Sequence, residues 1–237
     1  MINISGLTKY YGKFKALDDI NLTFGGGEVN ALMGPNGSGK TTLLKNILGL
    51  VIPEKGKITV NEIDISKNFE YRKLIGYMPQ TAYYPENLKV KEVISIITEV
   101  RGSDSEKDTE LLELFRINEL YNKRISSLSQ GTRQRLSGAL AFMFDSEIII
   151  LDEPTAGLDP ASSGHMKEKI MKESRKGKLI LVTTHIINEV ETIAERLVFM
   201  LEGKIHIVKK IDRNNPGKNG SGLASEISKL FEKYEWQ

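Results

Sequence analysis

The apolar residues of this chain fall into three kinds of pattern, and each predicts a different element. "EVNALM", Glu28 to Met33, is a short apolar run ending in a glycine-rich turn, and "KTTLLKNILGL" follows with Leu43, Leu44, Ile47 and Leu48 at helical spacing. That order reads as strand, loop, helix. "SEIIILDEP" (Ser146 to Pro154) and "KLILVTTH" (Lys178 to His185) are unbroken runs of β-branched residues and leucine, as strands buried on both faces of a parallel sheet require. Together they predict an α/β core. Between Leu88 and Phe144 the period changes. Val90, Val93, Ile94, Ile97 and Val100 lie on one helical face, and Leu111, Leu112, Leu114 and Phe115 mark a second helix, so a helical insertion over about residues 82–145 is expected. The alternations in "INISGLTKYY" and "GKITVNEIDI" predict half-buried antiparallel strands flanking the core. After Ile211 the stretch "DRNNPGKNGSG" reads as a linker, and "LASEISKLFEK" places Leu223, Ile227, Leu230 and Phe231 on one stripe of a terminal helix. The expected organisation is a domain over residues 1–211 and a linker with an amphipathic helix over 212–237.

Composition narrows the class. With 237 residues, 40% of them hydrophobic and 27% charged, the chain can bury a sizeable core as one domain or two closely packed subdomains. The formal net charge of +2 carries no broad basic signal, so nucleic acid is not an expected partner. There is no cysteine, which excludes disulfides and thiolate metal sites and fits a reducing compartment. His165, His185 and His206 are too dispersed in sequence to suggest a metal site. The N-terminus "MINISGLTKYYGK" lacks an apolar signal core, and no stretch approaches the roughly 18 apolar residues of a membrane span, so a cytoplasmic protein is expected.

Two stretches carry chemistry on their own residues. In "GPNGSGKT", Gly34 and Gly39 frame Pro35, Asn36, Gly37 and Ser38 ahead of Lys40 and Thr41, with Thr42 after them. This is the phosphate-binding loop pattern. Glycines let backbone N–H groups converge on phosphate oxygens at a helix N-terminus, where the peptide dipoles favour an anion. Lys40 can then reach the β- and γ-phosphates, and the Thr41 hydroxyl is placed to ligate magnesium. In "IIILDEP", Asp152 at a strand's carboxyl end can hold that metal, and Glu153 beside it can orient or deprotonate an attacking water. The same pair could also serve as a simple strand-end cap.

The motifs "GPNGSGKTT", "LSQGTRQRL", "ILDEPTAGLD" and "TTH" occur in the order and spacing of ABC transporter ATPase subunits, which the chain resembles up to about Ile211. The resemblance implies an α/β fold: a P-loop NTPase core with a mostly parallel sheet, an antiparallel β subdomain and an inserted α-helical subdomain. It implies a magnesium-dependent ATPase that binds ATP and Mg2+. Tyr11, in "YYGK", matches the aromatic that stacks on adenine, with Tyr10 as the fallback. Gln80, closing "IGYMPQ", matches the loop glutamine that senses magnesium and the attacking water. His185 matches the histidine that contacts the γ-phosphate, and Asp159 the aspartate that couples two sites across a dimer. Ser129 and Gly131, in "LSQGT", match the stretch that meets ATP bound to a second ATPase subunit, where a helix N-terminus is an anion site. An N-capping serine would use the same N–H groups. The chain departs from the common "LSGGQ" at Gln130 and Thr132, while Ser129 and Gly131 are kept.

The implied partners are that second subunit, the same or different, and a separate transmembrane permease subunit, which would hold the chain on the inner face of the membrane. The flavour of "GLVIPEKGKITVNEIDI" is most similar to ATPase subunits of ABC-2-type export systems. Tyr83 and Tyr84 beside Pro85 stand where the resemblance puts the membrane partner's contact, though both could equally pack inside the helical subdomain. A soluble mechanical ATPase acting on ribosomes or DNA is the competing class, and such relatives usually carry two ATPase domains or a coiled-coil insertion.

Overall fold

The computed structural model describes residues 1–102 and 107–212, together with Ser225 and Ile227. Two sheets divide the strands. β1 (Ile2–Tyr11), β2 (Phe14–Phe24), β4 (Lys55–Val60) and β5 (Ile63–Asp64) form an antiparallel sheet in the order β2-β1-β4-β5. β3 (Val29–Met33), β6 (Ile75–Met78), β7 (Ile148–Asp152), β8 (Leu179–Thr184), β9 (Arg196–Leu201) and β10 (Lys204–Lys210) form the second, in the order β10-β9-β3-β8-β7-β6. All neighbours in it run parallel except β10, which returns antiparallel to β9.

Every residue of β3, β7 and β8 is buried. The unbroken apolar runs have the expected cause: Ile149, Leu151, Ile180 and Val182 enter one apolar cluster with the helices, while Ile148, Ile150, Leu179 and Leu181 enter another with the antiparallel sheet. Period-two alternation across a sheet covered on both faces leaves no solvent-facing position, and the polar residues Asn30, Asp152, Thr183 and Thr184 are buried with the rest.

Helix α1 (Lys40–Ile47) follows β3 directly, and α5 (Pro160–Arg175) and α6 (Ile187–Ile193) follow β7 and β8. Between β6 and β7 lie α2 (Val90–Arg101), α3 (Glu110–Leu114) and α4 (Gln130–Phe142). The helical period between Leu88 and Phe144 thus marks a real helical layer, with two differences. Val90 and Val93 are buried and Ile94 and Ile97 pack against the core, but Val100 is 81% exposed. It sits in the last turn of α2, where Arg101 instead reaches inward to the carbonyls of Lys73 and Ile75. Leu114 is likewise exposed while Leu111, Leu112 and Phe115 are buried. Near the C-terminus, Ile227 is helical and packs with Ile207, Ile211 and Phe199. Leu223, Leu230, Phe231 and the rest of the expected linker and stripe beyond Asp212 lie outside the described residues.

A charged hub ties the helical layer to α5. Lys169, whose side chain is 1% exposed, reaches Asp108 at 2.5 Å, Glu110 at 2.7 Å and Glu173 at 3.1 Å. Glu173 also meets Lys176 and Lys178, each at 2.8 Å. Burial alone would lower the Lys169 pKa, but its bonds to Asp108, Glu110 and Glu173 outweigh that and raise it to about 12. Burial would raise Glu173, and its lysine partners bring it down to about 2. Glu173 therefore contributes stability above its unfolded pKa and loses it as pH falls toward 2, and Lys169 contributes until pH rises through its folded value near 12. Replacing Lys169 with Met leaves Glu173 its two other lysines and leaves Asp108, whose side chain is 31% exposed, the bond from Glu110 N–H, so the expected loss is about 1–2 kcal/mol, below the roughly 3–5 kcal/mol of a pair broken to leave a buried charge unpaired. Urea unfolding of the variant beside the wild type measures it.

Candidate nucleotide site

The carboxyl ends of β3, β6, β7 and β8 come to one edge of the parallel sheet, where open α/β folds place their ligands. The loop after β3 wraps the N-terminus of α1. Gly39, the N-cap, has φ 104 and makes no side-chain cap bond, and the first turn of α1 holds no acidic residue. Only glycine suits that left-handed backbone, and a Cβ there would meet the Ala16 carbonyl at 2.7 Å. The result is a helix end with uncapped N–H groups and no competing negative charge, as anion binding requires.

Asn36 through Thr42 line an open cleft of about 370 Å³, closed on its other sides by Tyr11, Phe14, Ala16, Gln80 and Glu153. Lys40 is buried, its ammonium folded back to donate to the carbonyls of Gly34 at 2.8 Å and Pro35 at 3.0 Å. Burial lowers its pKa, against the opposing pull of Glu153 and Asp152. Thr41 Oγ1 stands 3.4 Å from Asp152 Oδ2, and Thr183 Oγ1 donates to Asp152 Oδ1 at 2.5 Å. Asp152 is 2% exposed, and burial pushes its pKa up.

Glu153 joins the three side chains expected to act on water. Its Oε2 accepts from Gln80 Nε2 at 3.2 Å, and its Oε1 lies 3.1 Å from His185 Nδ1. The backbone of Glu153 has φ 52, a left-handed value rare for a residue with a side chain. Two bonds hold it there, from Glu153 N–H to the Thr183 carbonyl at 3.2 Å and to Thr183 Oγ1 at 2.9 Å. A carboxylate kept in that conformation immediately after a strand is the kind of strain that concentrates at functional sites.

Ser129, Gly131 and Asp159 do not line this cleft. They form a second cluster on the same chain. Ser129 caps α4, accepting from Thr132 N–H at 3.2 Å, and a Cβ on Gly131 would stand 3.0 Å from the Gly157 carbonyl, so the start of α4 abuts the loop after β7. Asp159 caps α5 by accepting from Ser162 N–H at 2.9 Å; that bond and the Ser162 hydroxyl hold its pKa below the usual carboxylate range, with a smaller contribution from Arg135. Thr132, one of the two departures from the common motif, is tied to Ser129 Oγ at 2.9 Å and accepts from Arg135 at 3.1 Å.

Sequence reasoning missed Phe14, Ala16, Thr183 and Glu189. Phe14 had a readable signal, since "YYGKF" sets an aromatic across a glycine turn from Tyr11. Thr183 becomes visible only through the register that pairs it with Asp152. Glu189 accepts from Thr184 at 2.6 Å and also from Thr155, linking the end of β8 to the loop after β7. Tyr83 and Tyr84 divide: Tyr83 is 87% exposed, whereas Tyr84 packs against the helical cluster.

A phosphate loop at the edge of a parallel sheet, with a carboxylate pair on the strand two places away, defines a P-loop nucleotide hydrolase. The family described as ABC transporter matches residues 17–156, more than half of the chain. The chain is 32% identical over 212 residues to the lantibiotic transport ATP-binding protein SrtF of Streptococcus pyogenes, covering 90% of this chain and 92% of that protein. It is 35% identical over 208 residues to the Nod factor export ATP-binding protein I of Rhizobium meliloti, covering 86% of this chain and 62% of that one. Among solved structures it is similar to an ATP-binding subunit of an ABC transporter, with TM-score 0.87, 28% identity and coverage of 96% of this chain and 99% of the other. A post-hydrolysis dimer of an ATP-binding cassette bound to ADP and Pi is also similar, with TM-score 0.79, 26% identity and coverage of 90% and 99%. The chain belongs to the ABC transporter family and is an ATP-binding, ATP-hydrolysing subunit. No helix among the described residues is long and apolar enough to cross a membrane.

Proposed function

We propose that this chain hydrolyses MgATP in a closed pair of ATPase subunits and so drives a separate transmembrane permease, in an export system of the ABC-2 type. The observation that carries the pairing is the separation of the two clusters: the cleft holds the phosphate loop and Glu153, while Ser129, Gly131 and Asp159 stand elsewhere on the same chain. A second subunit would bring its Ser129 and Gly131 to the γ-phosphate, with Asp159 coupling the two sites. The bonds from Thr132 to Ser129 support this role, because they keep the serine at the helix end despite the altered motif.

In the cleft, Tyr11 stacks on adenine, the backbone from Gly34 to Thr42 cradles the phosphates, and Lys40 leaves its loop carbonyls for the β- and γ-phosphates. Mg2+ suits the donors present. Thr41 and Asp152 offer oxygen ligands within one hydrogen-bond length of each other, with Gln80 across the cleft. No cage of three or more acidic or imidazole ligands exists among the described residues, and magnesium ordinarily keeps waters and substrate oxygens instead of a full protein shell. When bound it would neutralise charge on the phosphate oxygens. Glu153 then takes or orients the proton of the attacking water, and Gln80 and His185 hold that carboxylate from both sides.

The similarity to proteins named for lantibiotic transport and Nod factor export supports the export reading. The exposed Tyr83, beside a small hollow formed with Tyr77, Ile97 and Arg101, supports a permease contact there. The chain would then sit on the cytoplasmic face of the membrane through that partner. Tagged Glu153→Gln protein, recovered from its native cells in mild detergent with ATP and magnesium, is expected to bring down a multi-span membrane protein. Ribosomes or DNA factors in its place would transfer the reading to a soluble mechanical ATPase.

A further inference from the structure

The adenine end of the cleft holds more aromatic surface than one stacking tyrosine accounts for. Tyr11 ends β1 and Phe14 begins β2, and the two are direct cross-strand partners around the turn at Gly12 and Lys13. Cross-strand partners share one face of the sheet with their Cβ atoms about 5 Å apart. Both rings stand out from that face: Tyr11 is 48% exposed and Phe14 is 62% exposed. Both border the cleft that the phosphate loop lines. Two large apolar rings left in solvent beside an anion site form the sort of uncovered surface that a ligand is needed to bury.

The faces of Tyr11 are not equivalent. Lys9 Nζ lies 5.6 Å from the centre of its ring. That ammonium is itself fixed by the Ile52 carbonyl at 2.7 Å and Glu54 at 2.8 Å, so a cation–π contact occupies one side. A base stacked on Tyr11 thus has one ring face to use. Its remaining surface must be covered by something else or stay wet. Phe14 is the apolar group beside it, on the same sheet face and the same cleft wall.

We infer that Phe14 is a second base-contacting residue, forming with Tyr11 a two-ring seat for the adenine of ATP. This rests on the reading that Tyr11 stacks on the base. Phe14 has no polar atom, so its contribution is apolar and belongs to the base alone; the triphosphate is held by the loop and Lys40. The sequence places both rings by a device as short as "YGKF": a glycine at φ 60 turns the strand within two residues and brings the second ring opposite the first.

The test separates base from phosphate. ATP binding and inorganic tripolyphosphate binding are measured by calorimetry on wild type, Phe14→Ala and Tyr11→Ala, with thermal unfolding to check each fold. Phe14→Ala is expected to weaken ATP by about fivefold to 150-fold, the range for removing one stacking partner, and to leave tripolyphosphate unchanged. Equal weakening of both probes would mean that Phe14 only shapes the phosphate loop, and no change in either would mean that its ring serves another surface; each result overturns the inference. If Phe14→Ala does not fold, Phe14→Trp replaces it: ATP should quench its fluorescence beyond the wild-type signal of the single native tryptophan, Trp236, while tripolyphosphate should not. Failure of the parent reading is distinguishable, because Tyr11→Ala would then bind ATP normally while Phe14→Ala still weakens it.

Discussion

Glu153→Gln is expected to bind ATP as the wild type does and to lose hydrolysis by about 10²–10⁴, the usual contribution of a positioned general base. The substitution is matched in size, so the cleft keeps its shape. It is also neutral to the strained backbone, since glutamine pays the same penalty at φ 52 as glutamate and the two Thr183 bonds that hold this peptide involve main-chain N–H alone. What changes is the carboxylate. Glu153 now has Gln80 on one oxygen and His185 on the other. An amide offers one oxygen and one NH2 group, so one of those contacts must turn from acceptor to donor, and no site remains to take a proton from water. The measurement is single-turnover phosphate release beside ATP affinity, with size-exclusion chromatography in ATP to detect the closed pair. A variant that binds ATP, does not turn over and elutes as a dimer meets the expectation. Wild-type turnover would move the general base elsewhere, and the bonds from Gln80 and His185 to Glu153 would then be structural.

How much of this was legible before the fold was known depended on whether a feature lies within one segment. The strands β3, β7 and β8 were readable because burial on both faces forces an unbroken apolar run, and the phosphate loop because its glycines, Lys40 and Thr41 are contiguous. Features made by two distant segments were not. Asp152 and Thr183 are 31 residues apart and meet only through the β7–β8 register. Lys169 looks like one more charge on a polar helix, and only the docking of Asp108 and Glu110 from the helical layer makes it a buried hub. Val100 fails in the opposite sense: it stands at the margin of the apolar face of α2, and in the last turn Arg101 takes the inward position, its guanidinium over the buried Phe144 ring. Apolar spacing marks a face, but a long polar side chain nearer its centre can fill the contact instead.

Lys40→Ala should abolish ATP binding in the useful range and with it all turnover, while leaving the empty protein about as stable as the wild type. The two halves follow from one geometry. Without nucleotide, the ammonium is buried and satisfied only by the Gly34 and Pro35 carbonyls. Burial lowers its pKa despite the nearby Glu153 and Asp152. A lysine whose folded pKa lies below its unfolded value is held charged at a cost in the native fold, a cost offset in part by its two carbonyl bonds and its attraction to buried Asp152. Removing it relieves that cost and returns two carbonyls to the cleft and its water. With ATP present the balance reverses. Truncating one partner of a buried charge pair costs about 2–5 kcal/mol, or roughly 30-fold to several thousandfold in affinity. Calorimetry with ATP and thermal unfolding without it measure the two halves separately. A variant that lost binding and also melted well below the wild type would show that Lys40 holds the loop together, and the loss of activity would then say nothing about phosphate.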